Sequence, residues 1–83
     1  MDAAGAFGKV LRELRLGAGL TQEELGFEAD LRRTYISILE LGHQQPTLTT
    51  ILKLSKPLGR TAQEIVGLVE AELVAPPAQK RRQ

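Results

Sequence analysis

Apolar residues along the chain recur at intervals of three and four, the spacing that brings side chains onto one face of a helix. Phe7, Val10, Leu11 and Leu14 form the first such stripe and predict a helix over about 5–17, closed by Gly17 and Gly19. Thr21 opens a second helix. Its hydroxyl can accept from the amide of Glu24, and Glu24 can return the bond, a capping box at the head of TQEEL. Leu25 and Ala29 form the inner face of this helix. Gly26 sits within it at a cost of about 1 kcal/mol against alanine, which points to close approach of another backbone. Phe27 fits either the edge of the core or the surface.

Asp30-Leu31-Arg32 is long enough only for a sharp turn, with Asp30 as the left-handed residue and Leu31 plugging the corner. A third helix, 33–41, follows and stops at Gly42. Tyr35, Ile36 and Leu39 fall on its inner side, and Arg33, Thr34, Ser37, Ile38 and Leu41 on the opposite stripe. Beyond a polar loop, Thr47 caps a fourth helix with Leu48, Ile51, Leu52, Ser55 and Leu58 as inner positions. Pro57 lacks an amide donor and clashes with the preceding turn, so the regular helix is expected to end near Ser55 or Lys56. A second capping box, TAQE at 61–64, opens a fifth helix. Its apolar residues Ile65, Val66, Leu68, Val69, Leu73 and Val74 cover more than one face. The surplus predicts a partner surface, with Ile65, Leu68, Val69 and Leu73 as its members. Pro76-Pro77 closes the helix, and 76–83 is expected to be a disordered basic tail. The pattern is all-α: one compact five-helix domain over 1–75, with 21–42 as a helix-turn-helix unit.

Composition narrows the chemistry. There is no cysteine and one histidine, His43, so neither a thiolate site nor a histidine metal cluster is available, and no cofactor is expected. No apolar run approaches the ~18 residues of a membrane span. The first residues carry an acid where a signal peptide would carry positive charge, so a cytoplasmic location is expected. Ser37 and Ser55 are the only serines, neither in a nucleophile-elbow pattern, and no glycine-rich phosphate loop is present. These absences argue against an enzyme. Net charge is only +1, but bases gather at Lys9, Arg12 and Arg15, at Arg32 and Arg33, and at Lys80, Arg81 and Arg82. Local positive potential serves a nucleic-acid binder, and the weak total predicts weak non-specific binding.

The outward stripe of the third helix then becomes the candidate site, for presentation to the major groove of double-stranded DNA. Arg33 can reach two acceptors on guanine, Thr34 offers a hydroxyl or a methyl, Ser37 is short enough to let the helix approach, and Ile38 can pack on a thymine methyl. An ordinary solvent face is the alternative, but Ile38 and Leu41 are large aliphatics where such a face prefers polar groups. Gln22, Tyr35, His43, Gln44 and Gln45 surround the helix as candidate phosphate contacts. Glu40 borders the inner side of the third helix and Arg15 that of the first, so a partly buried, structural ion pair is expected between them.

GLTQEELGFEADLRRTYISILELG resembles the helix-turn-helix of the Cro/repressor-type (XRE-like) regulators, and PTLTTILKLSKPLG continues the resemblance, which spans about residues 7–70. RTYIS together with Phe27 is similar to the small controller proteins of restriction–modification systems. The resemblance implies a lambda-repressor-like five-helix domain that binds operator DNA, usually as a symmetric homodimer. It also implies a phosphate contact for Gln22, base reading for Arg33, Thr34, Ser37 and Ile38, and a buried pair for Arg15 and Glu40. Departures from the family pattern are Asp30 for glycine in the turn, Arg32 for a hydroxyl cap, Leu41 for a basic or amide residue, and Pro57 for alanine. A rival reading is a protein-interaction module on the same fold, an antitoxin or an accessory subunit, in which Ile38 and Leu41 meet protein. A third reading is a ligand sensor, but no second domain to hold a small-molecule ligand is expected in these 83 residues.

Overall fold

Helix-forming signals in the sequence become five helices in the computed structural model, which describes residues 1–74. They are α1 (Ala3–Gly17), α2 (Gln22–Ala29), α3 (Arg33–Glu40), α4 (Leu48–Leu58) and α5 (Ala62–Val74), with no strand among the described residues. The tail at 76–83 lies outside them.

Four of the helices open on side-chain caps. Thr21 and Glu24 exchange both bonds of the expected capping box, at 3.0 and 2.9 Å, and Thr61 and Glu64 do the same for α5. Thr47 accepts from the amide of Thr50 at 3.1 Å. Asp2 accepts from the amide of Gly5 at 2.8 Å, and this cap starts α1 at Ala3, ahead of the expected residue 5. Only α3 opens without such a bond, on an extended Arg32. Asp30 takes the left-handed conformation (φ 58°, ψ 48°) that the short turn requires.

One core joins the elements: Phe7 and Leu11 of α1, Leu25 and Ala29 of α2, Ile36 and Leu39 of α3, Leu54 and Leu58 of α4, and Ile65 of α5. Leu31 packs against it from the turn, and α1 lies across α3 and α5. Two glycines set the spacing. A Cβ on Gly26 would stand 2.6 Å from the carbonyl oxygen of Leu31, the close approach its mid-helix position foretold. A Cβ on Gly8 would stand 2.5 Å from the carbonyl oxygen of Leu39, so α1 and α3 touch backbone to backbone.

Three expectations are corrected. α4 does not end before Pro57 but runs through it to Leu58, closed by Gly59 in the left-handed conformation. A proline in the last turn removes one amide bond, and the carbonyl it deprives belongs to exposed Lys53, within reach of water. Burial of Leu58 rewards the extra turn. The inner face of α4 is also rotated: Thr50, Leu54 and Leu58 are buried, whereas Leu48 and Leu52 are 70% and 55% exposed. Thr50 can be buried because its hydroxyl is bonded to Thr47 Oγ1 at 3.0 Å and to the Tyr35 hydroxyl at 3.2 Å. Finally, Ile65 is 2% exposed and belongs to the core, so it cannot be a member of a partner surface. Buried in the shared core, it fastens α5 to the domain together with the partly buried Val69.

Candidate nucleic-acid interface

The sharp turn after α2 decides how α3 is presented. Arg32, extended, lends its carbonyl to the amides of Tyr35 and Ile36 at 3.0 and 3.1 Å, so the first turn of α3 forms without a side-chain cap. Ile36 and Leu39 are fully buried and fix the rotation of the helix about its own axis. That rotation leaves Arg33 and Thr34 exposed at its N-terminal end, Leu41 exposed just past its C-terminus, and Ser37 and Ile38 half-buried between them. The stripe is therefore not uniformly open: its cation and hydroxyl stand clear at one end, and its middle lies closer to the domain.

Beneath it, Arg15 and Glu40 form a two-pronged pair. Arg15 donates from Nε to Glu40 Oε2 at 2.6 Å, from Nη2 to Glu40 Oε1 at 3.0 Å, and from Nη1 to the carbonyl of Leu20 at 2.9 Å. The side chains are 10% and 4% exposed. The hydrogen bond to Glu40 raises the pKa of Arg15 above its ordinary value, against desolvation, which lowers it. Gln22 adds a further bond from Nε2 to Glu40 Oε1 at 3.1 Å. One carboxylate on α3 thus holds α1 and the first residue of α2, and Arg15 in turn ties down the loop before α2 through Leu20.

The remaining candidates divide by position. Gln22 and Arg33 share the wall of an open cleft with Gly19, Leu20 and Thr21, at the N-terminus of α2. His43, Gln44 and Gln45 are exposed in the loop after α3, where the amide of His43 is tied to the carbonyl of Ile38 at 3.1 Å. Tyr35 is half-buried, and its hydroxyl is engaged by Thr50 at the α3–α4 junction. Phe27 lies on the surface, 88% exposed. Among the described residues no group of three or more His, Asp or Glu could hold a metal ion, and no helix is long and apolar enough to cross a membrane.

On α5, Val66 and Leu73 are exposed and Val69 is half-buried; Val66 and Val69 line a groove with Phe7 of α1 and Ile51 of α4. Leu68 lies on the other flank, beside Val10 and Leu14 of α1. Leu48 and Leu52 of α4, expected as inner positions, are exposed apolar residues as well.

A family model described as helix-turn-helix matches residues 11–65, from mid-α1 into α5. The chain belongs to the helix-turn-helix family of transcriptional regulators. Within that family it is 48% identical over 54 residues to the control protein C.BamHI of Bacillus amyloliquefaciens, covering 64% of this chain and 67% of the relative. It is 37% identical over 67 residues to the control protein C.MunI of a Mycoplasma species, covering 80% of this chain and 90% of the relative. Among solved structures, the restriction–modification controller protein C.AhdI of Aeromonas hydrophila superposes with a TM-score of 0.72 at 40% identity, covering 75% of this chain and 94% of that one. The clp gene regulator ClgR of Corynebacterium glutamicum, at 23% identity, shares the fold with a TM-score of 0.85 over 95% of this chain and 84% of its own. These relatives are regulatory proteins, and restriction–modification controllers recur among them.

Proposed function

We propose that the protein is a sequence-specific DNA-binding regulator without enzymatic activity, acting in the cytoplasm as a homodimer on a palindromic operator. The observation that carries this reading is the presentation of α3. Two buried aliphatics and a buried carboxylate clamp one side of a short helix, while Arg33 and Thr34 stand free at its leading end. A helix so held can enter a major groove without an ordering cost.

In that pose Arg33 reads O6 and N7 of a guanine, Thr34 and Ser37 approach neighbouring base edges, and Ile38 packs on a thymine methyl. Gln22 and the α2 amides meet one phosphate strand, and His43, Gln44 and Gln45 the other side of the groove. Tyr35 can add a phosphate contact through the free valence of its hydroxyl, and Arg15 with Glu40 has a structural role. Dimerisation uses the α5 flank of Val69 and Leu73, extended by Val66 and by Leu48 and Leu52 of α4; Leu68, on the opposite flank, contributes at its border.

Titration of labelled duplex of random sequence across a salt series tests the reading. Binding at low salt that weakens steeply as salt rises is expected, with a slope of about −0.9 per phosphate neutralised. No binding even at low salt would favour the protein-interaction module instead.

A further inference from the structure

The bond from Gln22 to Glu40 joins the proposed backbone contact to the buried ion pair, and nothing in the fold requires it. Arg15 already donates to each oxygen of Glu40, and α2 is already capped by Thr21 and Glu24. Gln22 nevertheless turns its amide inward, with Nε2 3.1 Å from Glu40 Oε1, while its residue stays half-exposed on the cleft shared with Arg33. A carboxylate only accepts, so it dictates which end of the amide faces it. The flipped amide would set oxygen against oxygen. One Nε2 proton is thereby used, and the other is fixed in direction and left for an acceptor.

We propose that Glu40 is a positioning residue for DNA binding. Through Gln22 it holds the second Nε2 proton toward a phosphate oxygen before the duplex arrives. The inference rests on the DNA reading above and deepens it. Its physical content is preorganisation: a glutamine side chain has many rotamers, and here most are removed on folding rather than on binding. The same carboxylate that ties α3 to α1 then sets the register of a contact on α2, so the base-reading helix and the backbone anchor move as one body.

Two measurements test it. In the first, affinity for random duplex at low salt is compared for wild type, Gln22→Ala, Glu40→Gln and the double variant, at a temperature where circular dichroism shows each to be folded. Gln22→Ala should weaken binding about tenfold, the scale of one hydrogen bond to a charged group. Glu40→Gln should weaken it several-fold, and should cost nothing further once Gln22 is gone, although its loss of thermal stability persists. An unchanged affinity for Glu40→Gln, or an equal loss with and without Gln22, overturns the inference while leaving DNA binding intact. Wild type that binds no duplex overturns the DNA reading, and the positioning role with it. The second uses wild type alone and decides the matter if Glu40→Gln does not fold. In side-chain amide spectra, one Nε2 proton of Gln22 should be protected from exchange and the other should shift on duplex addition. Exchange as fast as that of exposed Gln44 and Gln45 for both protons overturns the inference.

Discussion

Charge placed on a residue matters here by where the backbone puts it. Arg15 and Glu40 are almost fully buried and satisfy each other in two hydrogen bonds. Arg15→Ala leaves Glu40 buried without its partner and should cost about 3–5 kcal/mol, read as a lowered urea midpoint. Against the small total expected of a domain this size, much of the population would unfold. Because the Arg15 pKa is raised above its ordinary, already strongly basic value, its contribution is fully present below that value and is lost only as pH climbs past the folded one. Arginine titration therefore does not weaken the pair at any pH the fold otherwise tolerates. Arg33 is the opposite case, exposed and without an ion-pair partner among the described residues. Arg33→Ala should leave stability unchanged and reduce operator affinity by about 1–3 kcal/mol, with a smaller loss on random duplex. Equal losses on both, in a competition titration, would remove its base-reading role. At this scale the sequence was readable wherever a residue's chemistry has one local answer: Thr21 with Glu24, and Asp30 in a turn too short for any other conformation. Asp2 obeys the same capping rule, yet the apolar stripe of the helix it opens begins only at Phe7, so the pattern places the start near residue 5.

Elements are legible when their apolar positions define one phase and ambiguous when they define two. In α3 only Tyr35, Ile36 and Leu39 can face inward together, and the helix sits that way round. In α4, Leu48 and Leu52 compete with Leu54 and Leu58 for the inner stripe. The choice falls to a hydroxyl: Thr50 finds partners in Thr47 and Tyr35, and those bonds exist only after α3 and α4 have met. α5 shows the same ambiguity, and contact with α1 selects Ile65 for the core. The glycines separate packing from propensity. Gly8→Ala would drive a Cβ into the α3 backbone and should destabilise by about 1–3 kcal/mol. Gly67→Ala, at a position with nothing within 4 Å, should stabilise by up to about 1 kcal/mol. Thermal melts of the two variants should move in opposite directions. Lys9 and Glu72 tie α1 to α5 at the surface, 2.6 Å apart. The hydrogen bond to Glu72 raises the lysine's pKa, so this tie persists below pH 10.5 and is lost as pH rises through the folded value. Melts of Lys9→Met should converge with those of wild type at strongly alkaline pH.

For the whole molecule, the account requires two copies whose α3 helices reach successive major grooves, about 34 Å apart along one face of the duplex. In the proposed dimer, exposed apolar residues of α4 and α5, Leu48 and Leu52 with Val66 and Leu73, would supply the surface for that pairing. Val66→Glu with Leu73→Glu should leave the helical content intact and shift sedimentation from dimer toward monomer. Operator binding should then depend more steeply on protein concentration. The fold was readable from the spacing of TQEEL, Ile36, Glu40 and Gly42, positions that serve the monomer, and the family from the RTYIS run beside them. Which apolar residues stay exposed was less legible, since an apolar residue facing outward and one facing its own core look alike along a chain.

Selection from a pool of random duplexes, carried out in parallel with wild type and Arg33→Ala, addresses the base-reading role of α3 most directly. Wild type is predicted to enrich two inverted half-sites with centres one helical turn apart, and Arg33→Ala to lose preference at a guanine in each half-site. Enrichment of no common sequence by wild type, or of the same sequence by both proteins, would contradict the account.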